Sequence, residues 1–270
     1  MSTPIALTIA GSDSSGGAGI QADLKTFSAL GVYGASVIAA LTAQNTRGVT
    51  AIHNVPADFV TAQIDAVFSD LAVGAVKIGM LSQGAVIEAV AQGLGRHNAK
   101  NIVLDPVMVA TSGDRLLAAD AVGALRKLLI PQALVLTPNL PEAAALLDHA
   151  PARSEAEMEA QARALLDFGA HHVLIKGGHG QGPESIDLLV DPTSVTRFAG
   201  MRVATKNTHG SGCTLSSAIA AGLAKGRDLK TAVRAAKTYV TAAIAAADTL
   251  AIGHGSRPLH HFHEQWRKSP

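Results

Sequence analysis

Short apolar or β-branched runs alternate with longer Ala-rich segments of helical period along most of this chain. This rhythm predicts strands joined by helical crossovers, because neighbouring parallel strands need a connection of a dozen or more residues. Buried strands are expected at residues 5–10, 73–78, 101–105, 134–137 and 172–176. Helices are expected at about 20–30, 57–71, 84–96, 115–129, 141–148, 154–168, 211–225 and 229–249. We therefore expect an α/β fold with a mostly parallel central sheet and helices on both faces.

Two segments depart from that rhythm. Residues 32–55 hold two strand-like runs split by the turn Asn45-Thr46-Arg47-Gly48, which predicts a small β-flap. Residues 186–190 and 195–203 predict a hairpin around Asp191-Pro192-Thr193. No repeat, low-complexity linker or shift in composition marks a boundary, so residues 1–270 are expected to form one domain.

The balance of charge and the cysteine count exclude several classes of protein. Lys and Arg number 22 against 21 Asp and Glu, so we expect no nucleic-acid partner. Cys213 is the single cysteine, which excludes an intrachain disulfide. The first residues lack a secretory pattern, and the apolar windows are shorter than the ~20 residues that span a bilayer. We expect a cytoplasmic protein without a membrane partner.

Polar side chains follow several of the predicted strands directly. Asp105, Thr137 with Asn139, and Lys176 come at the ends of three successive runs. Ligands of open parallel sheets bind beyond the carboxyl ends of the strands, so these groups should converge. A carboxylate, an amide and an amine together suit a metal-bound polyphosphate.

The segment Asn207-Thr208-His209-Gly210-Ser211-Gly212-Cys213-Thr214 lies directly before an Ala-rich helix. Two glycines and a helix N-terminus predict an anion site suited to phosphoryl charge. In the first helical turn, the pKa of the Cys213 thiol should fall below its usual ~8.5. A glycine turn with a small cysteine as filler explains the same residues, and local features leave both interpretations open.

Two other patterns are less specific. No Gly-x-x-x-x-Gly-Lys-Ser/Thr segment is present, which excludes a P-loop nucleotidase. Asn139-Leu140-Pro141-Glu142 is typical of a helix capping box, and on local evidence capping is the favoured interpretation.

Taken together, the longer motifs resemble the bacterial hydroxymethylpyrimidine kinases, within the ribokinase-like class. The matching segments, in order, are Ala10-Gly11-Ser12-Asp13-Ser14-Ser15-Gly16-Gly17-Ala18-Gly19-Ile20-Gln21-Ala22-Asp23-Leu24-Lys25-Thr26-Phe27, Leu41-Thr42-Ala43-Gln44-Asn45-Thr46, Lys77-Ile78-Gly79-Met80-Leu81, Asp105-Pro106-Val107-Met108-Val109-Ala110-Thr111-Ser112-Gly113, Thr137-Pro138-Asn139-Leu140-Pro141-Glu142, Lys176-Gly177-Gly178-His179 and the loop from His209 to Thr214. The resemblance runs from residue 5 to about 263. It implies a homodimeric, ATP- and Mg²⁺-dependent kinase of thiamine biosynthesis. Because the chain has 270 residues, we expect no fused thiamine-phosphate synthase domain.

The resemblance also implies roles for the groups at the strand ends and in the glycine loop. Cys213 stands where most of the ribokinase-like class has an Asp base, and the amides of Gly210, Ser211 and Gly212 would hold the transferring phosphoryl group. Asn139 with Glu142 would organise Mg²⁺, so the resemblance favours a metal-binding role over helix capping alone. Asp105, Thr137 and Lys176 would serve the nucleotide.

The expected substrate is 4-amino-5-hydroxymethyl-2-methylpyrimidine, phosphorylated first to the monophosphate and then to the diphosphate. Gln44 offers a donor beside an acceptor, which matches an aminopyrimidine edge. By resemblance Asp23, Gly11 and Ala18 line the same pocket, with Met80 and Val107 against the ring faces.

Three other functions stay open on the sequence. A pyridoxal kinase would use the same scaffold. A thiol hydrolase would use Cys213 as nucleophile and His209 as base. A non-catalytic pyrimidine sensor would bind without turnover.

Overall fold

The computed structural model describes residues 2–108, 121–180 and 182–266. Its strands are β1 Ile5–Gly11, β2 Tyr33–Asn45, β3 Gly48–Asn54, β4 Ala75–Ile78, β5 Ile102–Leu104, β6 Val135–Leu136, β7 Val173–Lys176, β8 Glu184–Val190 and β9 Val195–Met201. Its helices are α1 Gly19–Ala29, α2 Ala57–Asp70, α3 Gly84–Arg96, α4 Ala121–Ala124, α5 Leu140–Leu147, α6 Glu155–Leu166, α7 Ser211–Ala224 and α8 Leu229–Ala245. A π-helical turn, Leu125–Leu129, continues α4. Residues 115–120 of the predicted fourth helix lie outside the described residues.

The strands form one sheet in the order β3-β2-β1-β4-β5-β6-β7-β8-β9. Pairing is parallel from β2 through β7 and antiparallel at both margins. Buried strands read as continuous apolar runs because helices cover both faces. The structure therefore confirms the predicted α/β architecture and the hairpin of β8 with β9.

Alternate residues of each central strand enter different cores. Leu7 and Ile9 of β1 pack with α2, α3, α5 and α6 on one face. Ala6 of the same strand packs with α1, α7 and α8 on the other. This two-sided packing aligns the carboxyl ends of β1, β4, β5, β6 and β7 along one edge, where α7 also begins.

The predicted flap is right in its outer half and wrong in its inner half. From Tyr33 to Ile38, β2 pairs in parallel with β1 and belongs to the main sheet. Only from Ala40 onward does β2 pair antiparallel with β3 and extend beyond that sheet. Val37 and Ala39 are fully buried, so burial in the core holds the inner half against β1.

Candidate active site

A cavity of about 660 Å³ opens at the carboxyl edge of the sheet. Most of the predicted site residues line it: Gly11, Ala18, Gln44, Met80, Asp105, Val107, Asn139, Glu142, Lys176, Gly210, Ser211, Gly212 and Cys213. The topology therefore brings together groups from seven segments that are distant in the sequence. Asp23 and Thr137 are the two predicted residues that do not line the cavity.

Two glycine loops pack backbone to backbone at the centre of this cavity. Gly210 has φ +82°, and a Cβ built on it would lie 1.9 Å from the carbonyl oxygen of Gly17. A Cβ on Gly17 would in turn lie 2.4 Å from Cδ2 of His209. Side chains at either position would push the loops apart, so glycine is required for this contact.

Helix α7 begins inside the second of these loops. Gly210 is its N-cap and supplies no side chain, which leaves the first turn open toward the cavity. The Ser211 amide donates to the Thr208 carbonyl at 3.1 Å, so it supports the loop. A Cβ on Gly212 would lie 3.3 Å from Nζ of Lys176, which places this turn directly over the nucleotide-side charges.

Asp13 and His209 form a contact that the sequence did not indicate. The Asp13 carboxylate meets Nε2 of His209 at 2.8 Å and accepts from the amides of Ser15, Gly17 and Ala18. Burial opposes ionisation, but the hydrogen bonds from His209 and Ser15 outweigh it and lower the pKa of Asp13 to about 2. This carboxylate therefore holds the first glycine loop against the second.

A buried cluster of opposite charges lies at the end of the cavity near Lys176. Nζ of Lys176 lies 2.8 Å from Oδ1 of Asp105 and 3.9 Å from Oε2 of Glu142. Burial raises the pKa of Asp105, but Lys176 and Lys77 outweigh it and leave that pKa below its usual value. Burial and Asp105 raise the pKa of Glu142 to about 7, against the pull of Lys176.

The capping box and the proposed metal role of Glu142 fit one geometry. Asn139 Oδ1 accepts from the Glu142 amide, and Glu142 Oε2 accepts from the Asn139 amide, both at 2.8 Å. Within the described residues, no group of three His, Cys, Asp or Glu side chains is placed to hold a metal ion alone. Mg²⁺ keeps several waters and phosphate oxygens, so two hard carboxylates beside a polyphosphate suit it.

Thr137 was predicted to serve the nucleotide, and its placement corrects that expectation. The residue is fully buried, and its hydroxyl lies 3.3 Å from Oδ1 of Asp105. It precedes the chain turn into α5, and its hydroxyl approaches the carboxylate of Asp105. Thr137 can position Asp105, but it does not itself line the cavity.

Asp23 requires a similar correction. Its side chain is fully buried and pairs with the equally buried Lys77 at 2.8 Å. The Thr8 and Ser217 hydroxyls also donate to it. Asp23 therefore lies beneath the substrate pocket and does not line it.

The sequence predicts that the helix N-terminus lowers the pKa of the Cys213 thiol, and the structure contradicts this prediction. Burial raises the pKa of the thiol to about 11, although Lys77 acts to lower it. Desolvation of a thiolate outweighs the helix N-terminus here. At neutral pH Cys213 is therefore mainly a neutral thiol.

The far end of the cavity is formed by the flap. Oε1 of Gln44 lies 3.2 Å from the Thr42 hydroxyl, which orients the amide. A Cβ on Gly11 would lie 2.6 Å from Cε of Met80, so glycine lets the Met80 side chain cover the pocket wall. The flap turn is anchored because the Ser256 amide donates to the Thr46 carbonyl at 2.9 Å.

Comparison with known proteins agrees with this arrangement. A family model described as phosphomethylpyrimidine kinase matches residues 13–260. The chain belongs to the phosphomethylpyrimidine kinase family. It is 63% identical over 265 residues to the hydroxymethylpyrimidine/phosphomethylpyrimidine kinase of Rhizobium meliloti, covering 98% of this chain and 99% of that one. The corresponding Escherichia coli kinase is 55% identical over 261 residues, covering 97% and 98%.

The solved structures that match this chain include pyridoxal kinases as well as phosphomethylpyrimidine kinases. An ADP complex of Bacillus subtilis pyridoxal kinase has a TM-score of 0.91 at 36% identity, covering 98% of this chain and 100% of that chain. A phosphomethylpyrimidine kinase from Clostridium difficile has a TM-score of 0.79 at 45% identity, covering 89% and 99%. These matches confirm the predicted ribokinase-like fold. In the part of the chain that is described, no helix is long and apolar enough to cross a bilayer.

The raised pKa of Glu142 predicts a stability difference that depends on pH. The folded protein keeps this proton up to a pH of about 7, whereas the unfolded chain loses it near the ordinary glutamate pKa of 4.5. Stability contributed by the protonated group therefore falls as the pH rises through that window. Glu142→Gln keeps the hydrogen-bond acceptor of the capping box without the charge. From pH 5 to pH 8, its free energy of unfolding should therefore rise by about 2 kcal/mol relative to that of wild type.

Urea denaturation of both proteins at the two pH values, without nucleotide or divalent metal, measures this difference. Equal changes in the free energy of unfolding would show that Glu142 titrates normally.

Proposed function

We propose that the protein phosphorylates 4-amino-5-hydroxymethyl-2-methylpyrimidine with ATP and then phosphorylates the monophosphate to the diphosphate, for thiamine biosynthesis. One observation carries this proposal: a single cavity holds Gln44 at one end, the glycine loop before α7 in the middle, and Lys176 with its carboxylates at the other. Membership of the kinase family supports the same reaction. We place it in the cytoplasm, where ATP is available and a free thiol stays reduced.

The nucleotide occupies the end with Lys176. Its charge would offset that of the β- and γ-phosphates, while Asp105 and Glu142 would hold Mg²⁺ through oxygen atoms. The metal would screen the phosphate charge and fix the phosphate geometry. The first-turn amides of Gly212 and Cys213 would stabilise the transferring phosphoryl group.

The acceptor hydroxyl lies between this loop and Gln44. Its oxygen forms a bond to the γ-phosphorus as the bond from that phosphorus to the β–γ bridging oxygen breaks, and ADP leaves with the electron pair. Cys213 orients the hydroxyl through its sulfur and, in its thiolate form, takes the proton. Because phosphoryl transfer is loose, positioning contributes more than full proton removal before attack.

Gln44 would recognise the pyrimidine. Gln44 lines the cavity from the outer part of β2, and the paired N–H and ring nitrogen of an aminopyrimidine edge would complement its amide oxygen and nitrogen. Met80 and Val107 would cover the ring faces with apolar surface. The recognition residues and the phosphate residues thus lie on separate elements.

Pyridoxal is the second candidate acceptor. The fold match to the Bacillus subtilis pyridoxal kinase supports it. The identity to curated pyrimidine kinases is much higher, which favours the pyrimidine as the main substrate.

We also propose a homodimer. Large apolar side chains are exposed on β2, β3 and α2, which lie together at one edge of the sheet: Tyr33, Leu41, Ile52 and Phe59. A second copy would cover this surface. Light scattering at micromolar concentration should give twice the chain mass of 27.5 kDa, and Leu41→Lys should lower that mass. A wild-type mass of one chain would contradict the dimer.

Product analysis by mass spectrometry tests the reaction. The purified protein is incubated with Mg-ATP and equimolar hydroxymethylpyrimidine and pyridoxal. We expect pyrimidine mono- and diphosphate with little pyridoxal phosphate. Mainly pyridoxal phosphate would reassign the pocket, and no phosphorylated product would contradict the kinase proposal.

Gln44→Ala separates recognition of the substrate from binding of the nucleotide. The pyrimidine edge loses both paired contacts, so kcat/KM for the pyrimidine should fall by about 10- to 200-fold, or ~1–3 kcal/mol. The Kd for ADP should change less than about twofold, because the nucleotide lies at the other end of the cavity. Steady-state kinetics and calorimetry measure the two quantities.

Gln92→Ala is the matched control, since Gln92 is exposed on α3. Equal pyrimidine kinetics in Gln44→Ala, Gln92→Ala and wild type would exclude Gln44 from recognition.

A further inference from the structure

A fully buried ion pair lies beneath the cavity, and neither of its residues has a role in the proposed function. Nζ of Lys77 lies 2.9 and 2.8 Å from the two carboxylate oxygens of Asp23, and both side chains are fully buried. The hydroxyls of Thr8 and Ser217 donate to the same carboxylate at 2.6 and 2.5 Å. Burying two charges seldom stabilises a fold better than apolar side chains of the same size, so this pair suggests another role.

Helical spacing places the pair one turn below Cys213. On α7, Cys213 and Ser217 are four residues apart and share a face. On α1, Gly19 and Asp23 are also four residues apart. The Ser217 hydroxyl donates to Asp23, so the ion pair lies one turn further along α7 than Cys213.

The Lys77 side chain extends toward the turn of α7 that holds Cys213. Lys77 lies on β4, and a Cβ built on Gly79, two residues nearer the carboxyl edge, would lie 2.7 Å from its Nζ. The ammonium is therefore displaced along the strand toward the cavity. Burial lowers the pKa of Lys77, but Asp23 and the other nearby negative groups raise it above its usual value. Lys77 is thus a fixed positive charge.

Four charged groups lie close enough to Cys213 to influence its thiol electrostatically. Lys77 and Asp23 lie beneath it on β4 and α1, while Asp105 and Lys176 lie at the ends of β5 and β7. Among these, Lys77 lowers the pKa of the thiol most. Without Lys77, the thiolate would face two buried carboxylates and one lysine.

We propose that Lys77 is a positioning residue for phosphoryl transfer: its ammonium, held by Asp23 one helical turn beneath Cys213, stabilises the thiolate that accepts the proton of the substrate. This role rests on the proposed function. The proton passes from the acceptor oxygen to the sulfur while that oxygen bonds to phosphorus and ADP departs. The thiol afterwards releases the proton to solvent.

The reaction of Cys213 with iodoacetamide tests this role without ATP or pyrimidine. Cys213 is the only cysteine, so alkylation of the intact protein reports it alone. Lys77→Met keeps the length of the side chain without the charge. At pH 8 its alkylation rate should fall about tenfold, equivalent to one pKa unit, because only the thiolate reacts. The whole pH profile should move to higher pH.

Two further variants separate charge from structure. Asp23→Asn/Lys77→Met leaves no charge unpaired, so it should fold, with a rate between those of wild type and Lys77→Met. Lys100→Met makes the same substitution at an exposed lysine before β5 and should alkylate as wild type does. Circular dichroism confirms the fold of each variant.

A pH profile equal to that of wild type in either folded Lys77 variant would overturn the proposal. The pyrimidine kcat should fall in the same proportion as the alkylation rate. A shifted alkylation profile with an unchanged kcat would likewise overturn the role in phosphoryl transfer. Because alkylation needs no turnover, a protein that failed to phosphorylate the pyrimidine would still give a result for Lys77 and Cys213.

Discussion

Two adjacent serines fasten the start of α7 to buried carboxylates on either side of it. Ser216 donates to Asp105 at 3.2 Å, and Ser217 donates to Asp23 at 2.5 Å. Each carboxylate is paired with a lysine that a strand supplies, Lys176 in one case and Lys77 in the other. The helix N-terminus is therefore held over the sheet edge by groups that are themselves fixed, as electrostatic stabilisation of a phosphoryl group requires.

The buried charges near Lys176 include a second carboxylate, 3.9 Å from the lysine, which favours binding of a cation. Asp105 satisfies Lys176, which leaves Glu142 buried beside a carboxylate with its pKa raised to about 7. A divalent cation and phosphates would relieve that repulsion. In the proposed function, other elements recognise the acceptor: the outer part of β2 and the strand ends near Met80. That separation would let one fold serve both pyrimidine and pyridoxal kinases.

Hydrophobic periodicity predicted most of the fold, because the buried face of each helix and strand appears in its own sequence as a repeating pattern of apolar residues. It assigned the inner half of β2 wrongly, since the pairing of Val37 beside β1 depends on a distant strand. Most of the residues that the resemblance assigned to the site line the cavity, but Asp23 and Thr137 do not. The contact of His209 with Asp13 joins residues 196 positions apart, and no local pattern could show it. The pKa of Cys213 depends on burial by elements that the local motif does not contain.

A crystal structure with hydroxymethylpyrimidine and a non-hydrolysable ATP analogue tests the central claim, that one cavity aligns acceptor and donor. The account predicts the amino and ring nitrogens of the pyrimidine against Gln44 and the hydroxyl beside Sγ of Cys213. It also predicts the γ-phosphorus within about 3.5 Å of the hydroxyl oxygen, under the first turn of α7. A pyrimidine bound away from Gln44, or a γ-phosphate away from that turn, would contradict it.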